Sequence, residues 1–355
     1  MIVSADRIYL ILGNSCNMNC RYCLQHNLVE RENKIQYNPM LIDWLKRMAD
    51  AAENKITLTF WGGEPLVYYE TIKQIVAETD GCNFQYSIVT NGKALTDGMV
   101  AFLNEHNFGV AVSWDGKNTK QTRRFDVFAD ENLKRRIFAL RDLCITGVVS
   151  SMAYPLELLN DMDVLLGEYE KIWGYSPSVN LDFIFDTGIP DRTLLDIDTN
   201  KMSEQARYIA KQLVNNSDIS KALMIFAYQV ICKAYSFYSA PNRRAFGCGN
   251  GYNVINVDTE GSLYTCHNCR NVVGNIGTPY AEYIRRIIEN DPVVERLKGI
   301  CKDCPALPAC KGGCKIVVDN EPFCALRKAF YGAFFEELMV WGADYMKGGD
   351  ADEKK

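Results

Sequence analysis

Cys16, Cys20 and Cys23 stand in the run Cys-Asn-Met-Asn-Cys-Arg-Tyr-Cys, a CxxxCxxC spacing with an aromatic residue, Tyr22, before the last cysteine. Thiolates are soft ligands and suit iron–sulfur or zinc centres. An iron–sulfur cube normally takes four thiolates, so a loop offering three leaves one iron for a ligand that is not protein. S-adenosylmethionine (SAM) meets that need. Its amino and carboxylate groups can chelate the free iron and bring the sulfonium close enough to accept an electron. Splitting it gives methionine and a 5'-deoxyadenosyl radical, chemistry carried by the cofactor and not by side chains. On spacing alone, a zinc loop or a chance cluster of buried cysteines stays open as the alternative.

A second concentration of cysteine lies toward the other end: Cys248, Cys266, Cys269, Cys301, Cys304, Cys310, Cys314 and Cys324. Taken alone, the run from Cys301 to Cys314 reads as a zinc knuckle. Cys82, Cys144 and Cys232 sit among apolar neighbours and are assigned no role, since free buried cysteine is common.

The elements that must position these loops are legible as alternating strands and helices. Arg7 to Leu12 reads as strand one, with the cysteine loop directly after it. Asn38 and Pro39 read as the cap and first position of a helix. Strand two, Lys55 to Phe60, runs into Trp61-Gly62-Gly63-Glu64-Pro65; strand three, Phe84 to Val89, ends in Thr90-Asn91-Gly92, and Thr96 caps the next helix. Strand four, Phe108 to Val112, ends in Ser113-Trp114-Asp115-Gly116, and Lys117 to Phe128 reads as an extended loop. Helix Glu131 to Leu140, strand five from about Leu143 to Ser151, helix Glu157 to Ile172 and strand six, Val179 to Phe185, complete the series. This pattern predicts an α/β fold, a partial (β/α)6 barrel of the TIM type, in which functional residues occupy loops at the carboxyl ends of the strands. The short polar motifs all fall on that edge. The alternative for Asn91, Ser113 and Asp115 is ordinary turn chemistry.

Residues 1–198 are thus read as the barrel, 199–244 as a helical bridge, 245–346 as a small cysteine-rich domain and 347–355 as a disordered tail. A hairpin is expected from Asn253 to Asp258 and Ser262 to Tyr264 around Glu260-Gly261, helices at Tyr280 to Glu289 and Pro292 to Leu297, and a closing helix from Phe323 to Met346. Of 355 residues, 48% are hydrophobic and 23% charged, the composition of a globular protein. The net charge of −5, with no strongly basic segment, argues against a nucleic-acid partner. No signal peptide or membrane-length apolar run is present. Fourteen cysteines at metal-ligand spacings, with only three histidines and no targeting signal, point to a reduced, cytoplasmic metalloprotein.

Together these motifs resemble the radical SAM enzymes that carry a C-terminal SPASM domain. The resemblance rests on the cysteine loop with Tyr22, on Gly62-Gly63-Glu64-Pro65, and on Cys248, Gly261 and Cys266 followed by Cys301, Cys304, Cys310, Cys314 and Cys324 at the family's spacings. It implies three [4Fe-4S] clusters. Cys16, Cys20 and Cys23 would hold the SAM cluster; Cys301, Cys304, Cys310 and Cys324 the outer auxiliary cluster; Cys248, Cys266 and Cys314 the inner one, either open at its fourth site or completed by Cys269. Gly62, Gly63, Glu64 and Pro65 would meet the SAM amino group, Asn91, Ser113 and Asp115 its ribose and carboxylate. Arg124 would pair with the carboxylate, although Arg123 is equally placed. The implied activity is hydrogen abstraction from a peptide or protein, installing a thioether or carbon–carbon crosslink in a ribosomally made peptide. The runner-up is sulfatase maturation to formylglycine, and a non-enzymatic electron carrier is the third reading. Partners implied are a flavodoxin or ferredoxin as electron donor and, because only about six residues precede strand one, a separate leader-binding protein. His267 replaces an acidic residue of the sulfatase maturases. It is expected to act in acid–base chemistry because an ordinary imidazole titrates near neutrality; its alternative is a histidine hydrogen-bonded to a cluster sulfide.

Overall fold

The computed structural model describes residues 5–28, 38–215, 219–239, 253–269, 271–289, 291–317 and 320–352. Cys248 lies outside them. Strand β1 (Arg7–Ile11) leads through the cysteine loop to helix α1 (Leu41–Ala51); β2 (Ile56–Trp61) to α2 (Tyr69–Glu78); β3 (Phe84–Thr90) to α3 (Asp97–Glu105). β4 (Gly109–Ser113) is followed by the short α4 (Thr119–Arg123) and by α5 (Glu131–Phe138), then β5 (Asp142–Val149), α6 (Pro155–Trp173) and β6 (Ser178–Phe183). These six strands are parallel and lie in sequence order. The sheet is open, a partial (β/α)6 barrel.

Burial alternates along all seven residues of β3, so one face packs under helices and the other lines the concave side. The helix face is apolar throughout: Phe60, Tyr86 and Phe108 stack with centroids 5.4 to 6.4 Å apart. On the concave face of β1 and β2, Arg7 donates to Thr59 Oγ1 at 2.8 Å, and Thr59 bonds Ser87 of β3 at 2.7 Å. A polar lining suits a chamber that takes a polar substrate.

After β6, α7 (Thr199–Asn215) and α8 (Lys221–Ser239) close the sheet's far side, where Gln229 Nε2 donates to the Val179 carbonyl at 2.8 Å. An edge strand's free carbonyl is thereby satisfied. The expected hairpin forms as β7 (Val254–Asp258) and β8 (Ser262–Tyr264), with an added strand β9 (Val272–Asn275). The sequence does not show where it docks. β7 pairs in parallel with β1, Arg7 opposite Val254 through Ile11 opposite Asp258, so the sheet continues unbroken in the order β6-β5-β4-β3-β2-β1-β7-β8-β9.

Helices α9 (Tyr280–Glu289), α10 (Pro292–Lys298) and α11 (Leu307–Cys310) precede α12 (Asn320–Arg327), a π turn (Lys328–Gly332) and α13 (Ala333–Asp352). Phe330 and Phe334 are fully buried, Phe330 lying 5.1 Å from Phe183 and 5.8 Å from Phe226. Three local readings are corrected. The first crossover helix starts at Leu41, because Asn38 Oδ1 accepts from Met40 N in a turn instead of capping. Lys117 to Phe128 contains α4 and is not all extended. The closing segment expected as one helix from Phe323 is α12 from Asn320, the π turn and then α13 from Ala333.

Candidate active site

The cysteine loop is held by backbone contacts that only small residues allow. Gly63 N donates to Gly13 O at 3.0 Å and Glu64 N to Ser15 O at 2.9 Å. A Cβ on Gly62 would stand 2.4 Å from Gly13 O, and one on Gly63 2.5 Å from both Asn14 O and Ser15 O. The two glycines let the turn after β2 lie flat on the turn after β1. Ser15 N reaches Tyr68 Oη at 2.9 Å from the other side.

Glu64 is 1% exposed and its carboxylate accepts three bonds: Leu66 N at 3.0 Å, Thr90 Oγ1 at 2.6 Å and Asn91 N at 2.7 Å. Burial raises its pKa, and the three donors hold that rise back. Glu64 therefore fastens β2's turn to the end of β3, and Pro65 opens the short turn behind it. Asn91 is placed beside the loop, donating to Asn17 Oδ1 at 2.8 Å with Cys16 Sγ 4.0 Å away.

Asp115 organises the opposite side. Its Oδ2 accepts from the Tyr22 hydroxyl, from Thr122 Oγ1 at 2.7 Å and from Arg123 Nε at 3.1 Å; Oδ1 accepts from Val148 N at 2.9 Å and Arg123 Nη2 at 3.3 Å. Arg123 also lies 5.3 Å over the Tyr22 ring. Burial works against its charge, but Asp115, Tyr22 and Cys20 outweigh that and raise its pKa. Arg124 ends α4 in the left-handed region at φ 70° and is exposed, whereas Arg123 turns inward. Ser113 closes β4 opposite Thr146, half-buried. Asp115 thus ties the cysteine loop, β4's turn and β5 together.

Between these supports the three thiols face one another. Burial pushes Cys20 up to about 12, with Arg123 opposing and Cys23 and Cys16 adding like-charge repulsion. Cys16 and Cys23 are raised mainly by burial too. As thiolates they need a compensating cation, which iron supplies.

The loop also touches the C-terminal unit, where Gln25 Nε2 donates to His267 O and Asn268 Oδ1, each at 3.3 Å. His267 stacks on Tyr9 at 4.0 Å, meets Trp61 edge-on at 4.5 Å and bonds Asn256 Oδ1 through Nδ1 at 3.3 Å. Burial, and Arg7 after it, push its pKa down to about 3. In this enclosure the imidazole is held in its neutral form. Cys266 and Cys269 are joined thiol to thiol, which holds Cys266 protonated and drops Cys269 to about 6; Cys314 also acts on Cys266. Cys269 is additionally bonded to Thr265 Oγ1 at 3.1 Å.

Cys301, Cys304, Cys310 and Cys324 form the remaining group. Cys301 is raised by burial first and then by Cys310, Cys324 and Cys304, and Cys310 by burial, Cys324 and Cys304, against Arg327. The chain reverses between Cys310 and Cys314 because Lys311, Gly312 and Gly313 all have positive φ, 53°, 85° and 80°. Among the described residues no group of three or more His, Cys, Asp or Glu could hold a single metal ion. The donor set itself, soft thiols with no carboxylate or imidazole among them, is of the kind that iron–sulfur clusters take.

Sequence reasoning missed several supports: Gln25, Tyr9, Trp61, Thr122 and the Arg21–Asp191 pair, whose Nε–Oδ2 bond is 2.7 Å. Their partners are remote in the chain, so no local pattern marks them.

An open parallel sheet with a three-cysteine loop at its carboxyl edge, joined to a cysteine-rich unit through β7, defines an iron–sulfur enzyme of the partial-barrel class. The Radical SAM superfamily model matches residues 10–165, so this part of the chain is a Radical SAM domain, and the chain as a whole is similar to the anaerobic sulfatase-maturating enzymes. It is 30% identical over 153 residues to the radical SAM cyclopropyl synthase TigE of Paramaledivibacter caminithermalis, covering 38% of this chain and 32% of that one. Against the cysteine-type anaerobic sulfatase-maturating enzyme of Clostridium perfringens it is 23% identical, over 93% of this chain and 94% of the relative. The structure of native anSMEcpe with bound AdoMet and Cp18Cys peptide superposes with a TM-score of 0.67 at 18% identity, covering 96% of this chain and 99% of that one. That likeness shows the shared fold, and the matched Radical SAM domain implies a [4Fe-4S] cluster and SAM. No helix among the described residues is long and apolar enough to cross a membrane.

Proposed function

We propose that this enzyme modifies a peptide or protein, abstracting a hydrogen from a side chain or backbone position and joining the resulting centre to a second group as a thioether or carbon–carbon crosslink. One observation carries the reading: Gln25 Nε2 ties the Cys16–Cys23 loop to His267-Asn268, so the Cys266–Cys269 loop lies against the loop that would hold the radical source. When bound, SAM and its cluster supply the 5'-deoxyadenosyl radical. The chain's own residues do the rest. Glu64, Asn91 and Asp115 fix the loop's geometry, Arg123 and Tyr22 keep water and stray charge from Cys20, and the polar concave face receives the substrate backbone. Cys16, Cys20 and Cys23 would hold the first cluster. The C-terminal cysteines would hold two auxiliary clusters, the inner one either open at its fourth site or completed by Cys269. Closing a crosslink removes two hydrogens: bound SAM would take one as 5'-deoxyadenosine, and the other would leave as a proton, its electron going to an auxiliary cluster that the C-terminal cysteines would hold. A flavodoxin or ferredoxin would deliver the priming electron, and a separate leader-binding protein would present the substrate.

Formylglycine formation is the second reading, favoured by full-length similarity to the sulfatase maturases. Reconstituted enzyme with dithionite, SAM and cysteine-containing test peptides should give 5'-deoxyadenosine and a peptide short of two hydrogens that resists thiol alkylation. A product aldehyde that reacts with hydrazine would replace crosslinking with the second reading. The Cys20→Ala protein should form no 5'-deoxyadenosine.

A further inference from the structure

Arg7 opens β1 on the concave face, half-buried, on the side of the strand that faces away from the helices. Its Nη1 donates to Thr59 Oγ1 at 2.8 Å, and Thr59 is itself bonded to Ser87 at 2.7 Å, so the guanidinium is carried up to the level of Tyr9, whose ring centre lies 5.7 Å from it. His267 stacks on the same Tyr9 ring at 4.0 Å, which puts Arg7 on the floor of the space that the Cys266–Cys269 loop borders. A guanidinium carries five N–H donors. Among the described residues Thr59 Oγ1 is the one acceptor the Arg7 side chain reaches, and no carboxylate pairs with it. The carboxylates of this face lie elsewhere. Asp258, on β7, accepts from Tyr264 Oη at 2.6 Å and from Ser262 N at 2.8 Å. Asp142 stands on β5 in the row of Tyr9, Thr59, Ser87 and Gly109, about 19 Å from β1 at the usual strand spacing, and Asp182 on β6 is one strand farther. Between them Ser87, Gly109 and Ala111 are small and half-buried, leaving space above the sheet. Arg7 thus keeps its charge and most of its fork for an anion that enters the chamber.

We infer that Arg7 selects the substrate by binding a carboxylate of the peptide, either an aspartate or glutamate side chain or the free C-terminus. The inference deepens the reading of this enzyme as a peptide modifier and rests on it. Two parallel N–H bonds suit a carboxylate and not a single carbonyl oxygen, so an amide in the same place is held less well. The level of the guanidinium also sets a distance. Thr59, where it is anchored, comes four residues before Gly63, whose N–H bonds the turn that leads into the cysteine loop; at the rise of a strand that is about 13 Å. An extended peptide covers that span in about four residues, so the carboxylate lies about four residues from the position that faces the radical source. Arg7 is a specificity residue and touches no reacting atom.

The test is a peptide series offered to anaerobically reconstituted wild type, Arg7→Gln and Arg7→Lys, with iron content and circular dichroism as controls of folding. Each peptide holds one cysteine, is blocked at both ends, and carries either glutamate or glutamine at one position, walked from two to six residues on each side of the cysteine. A further arm leaves the C-terminus free at the same distances. Binding is read by displacement of a fluorescent member of the series, and product by mass. Wild type should bind the best-placed glutamate or free-acid peptide about tenfold or more tightly than its uncharged twin, and the tighter of the two arms identifies which carboxylate is taken. Arg7→Gln should bind charged and uncharged twins alike, and Arg7→Lys should keep part of the preference. If wild type forms product but binds the twins alike at every position, the inference fails while peptide modification stands; it fails too if Arg7→Gln retains the preference. Should Arg7→Gln not fold, Arg7→Lys decides: a preference that is kept supports the inference, and twins bound alike overturn it. Wild type that cleaves SAM yet neither binds nor modifies any peptide of the series would defeat the underlying reading, and the inference with it, before any variant is made.

Discussion

Asp115 shows how one carboxylate can hold the parts of a site together. It is buried, its ion pair with Arg123 is buried, and five donors converge on it. Asp115→Asn keeps the shape but leaves Arg123 without its anion, a change that costs about 3–5 kcal/mol when a buried pair is broken. The urea midpoint of apoprotein should fall accordingly, and SAM cleavage should fall with it; an unchanged midpoint would show that Arg123 finds another partner. Glu64 yields a pH dependence. Its folded pKa is raised by burial above the ordinary 4.5, so from there upward the native state binds more protons than the unfolded chain and stability falls as pH rises. Glu64→Gln removes that dependence but turns an amide donor toward a backbone N–H. The stability gap between wild type and Glu64→Gln in apoprotein should be widest below pH 4.5 and narrow above it. A gap that widens instead would reverse the sign. The choice between Arg123 and Arg124 was not legible, because adjacent residues on a helix point about 100° apart and α4 itself has no strong apolar period.

At the scale of elements, the turn after β2 works as a brace for the cysteine loop, and sterics decide it. Gly63→Ala would drive a Cβ into two backbone carbonyls at 2.5 Å, neither at the end of a flexible side chain. Overpacking of this kind costs ~1–3 kcal/mol. The variant should keep its α/β circular dichroism yet lose iron from the first cluster and 5'-deoxyadenosine formation. Near-wild-type cleavage would mean that the loop is held by its cysteines alone. The six barrel strands were readable to within a residue or two because a sheet covered by helices demands apolar runs with polar strand ends. β9, Val-Val-Gly-Asn, was missed because four residues cannot establish a period. The π turn at Lys328–Gly332 was invisible for a related reason: a single wide turn leaves an aromatic face intact.

Across the whole molecule, β1 is the shared beam. It carries β2 on one side and β7 on the other, while its end releases the cysteine loop. The sequence suggested two units joined by a helical bridge, but pairing between segments so distant leaves no local trace, and the continuous sheet appears only in the fold. A consequence is that the barrel should not survive alone. Cutting the chain after Ser239 removes β7 and exposes the edge of β1, a row of unpaired backbone groups flanked by the apolar Ile8 and Leu10. It also strips Phe330 and Phe334 from Phe183 and Phe226, opening apolar surface between the helices and β6. Losing Gln25's contact with His267-Asn268 frees the loop as well. The fragment ending at Ser239 should therefore aggregate or bind hydrophobic dye strongly. Supplying residues 253–352 in trans should rescue solubility, because strand pairing needs no covalent link. A monomeric, cooperatively folding fragment that loads one cube and cleaves SAM at the full-length rate would show that β1's edge is protected within the barrel, and the docking of β7 would then serve the auxiliary sites alone.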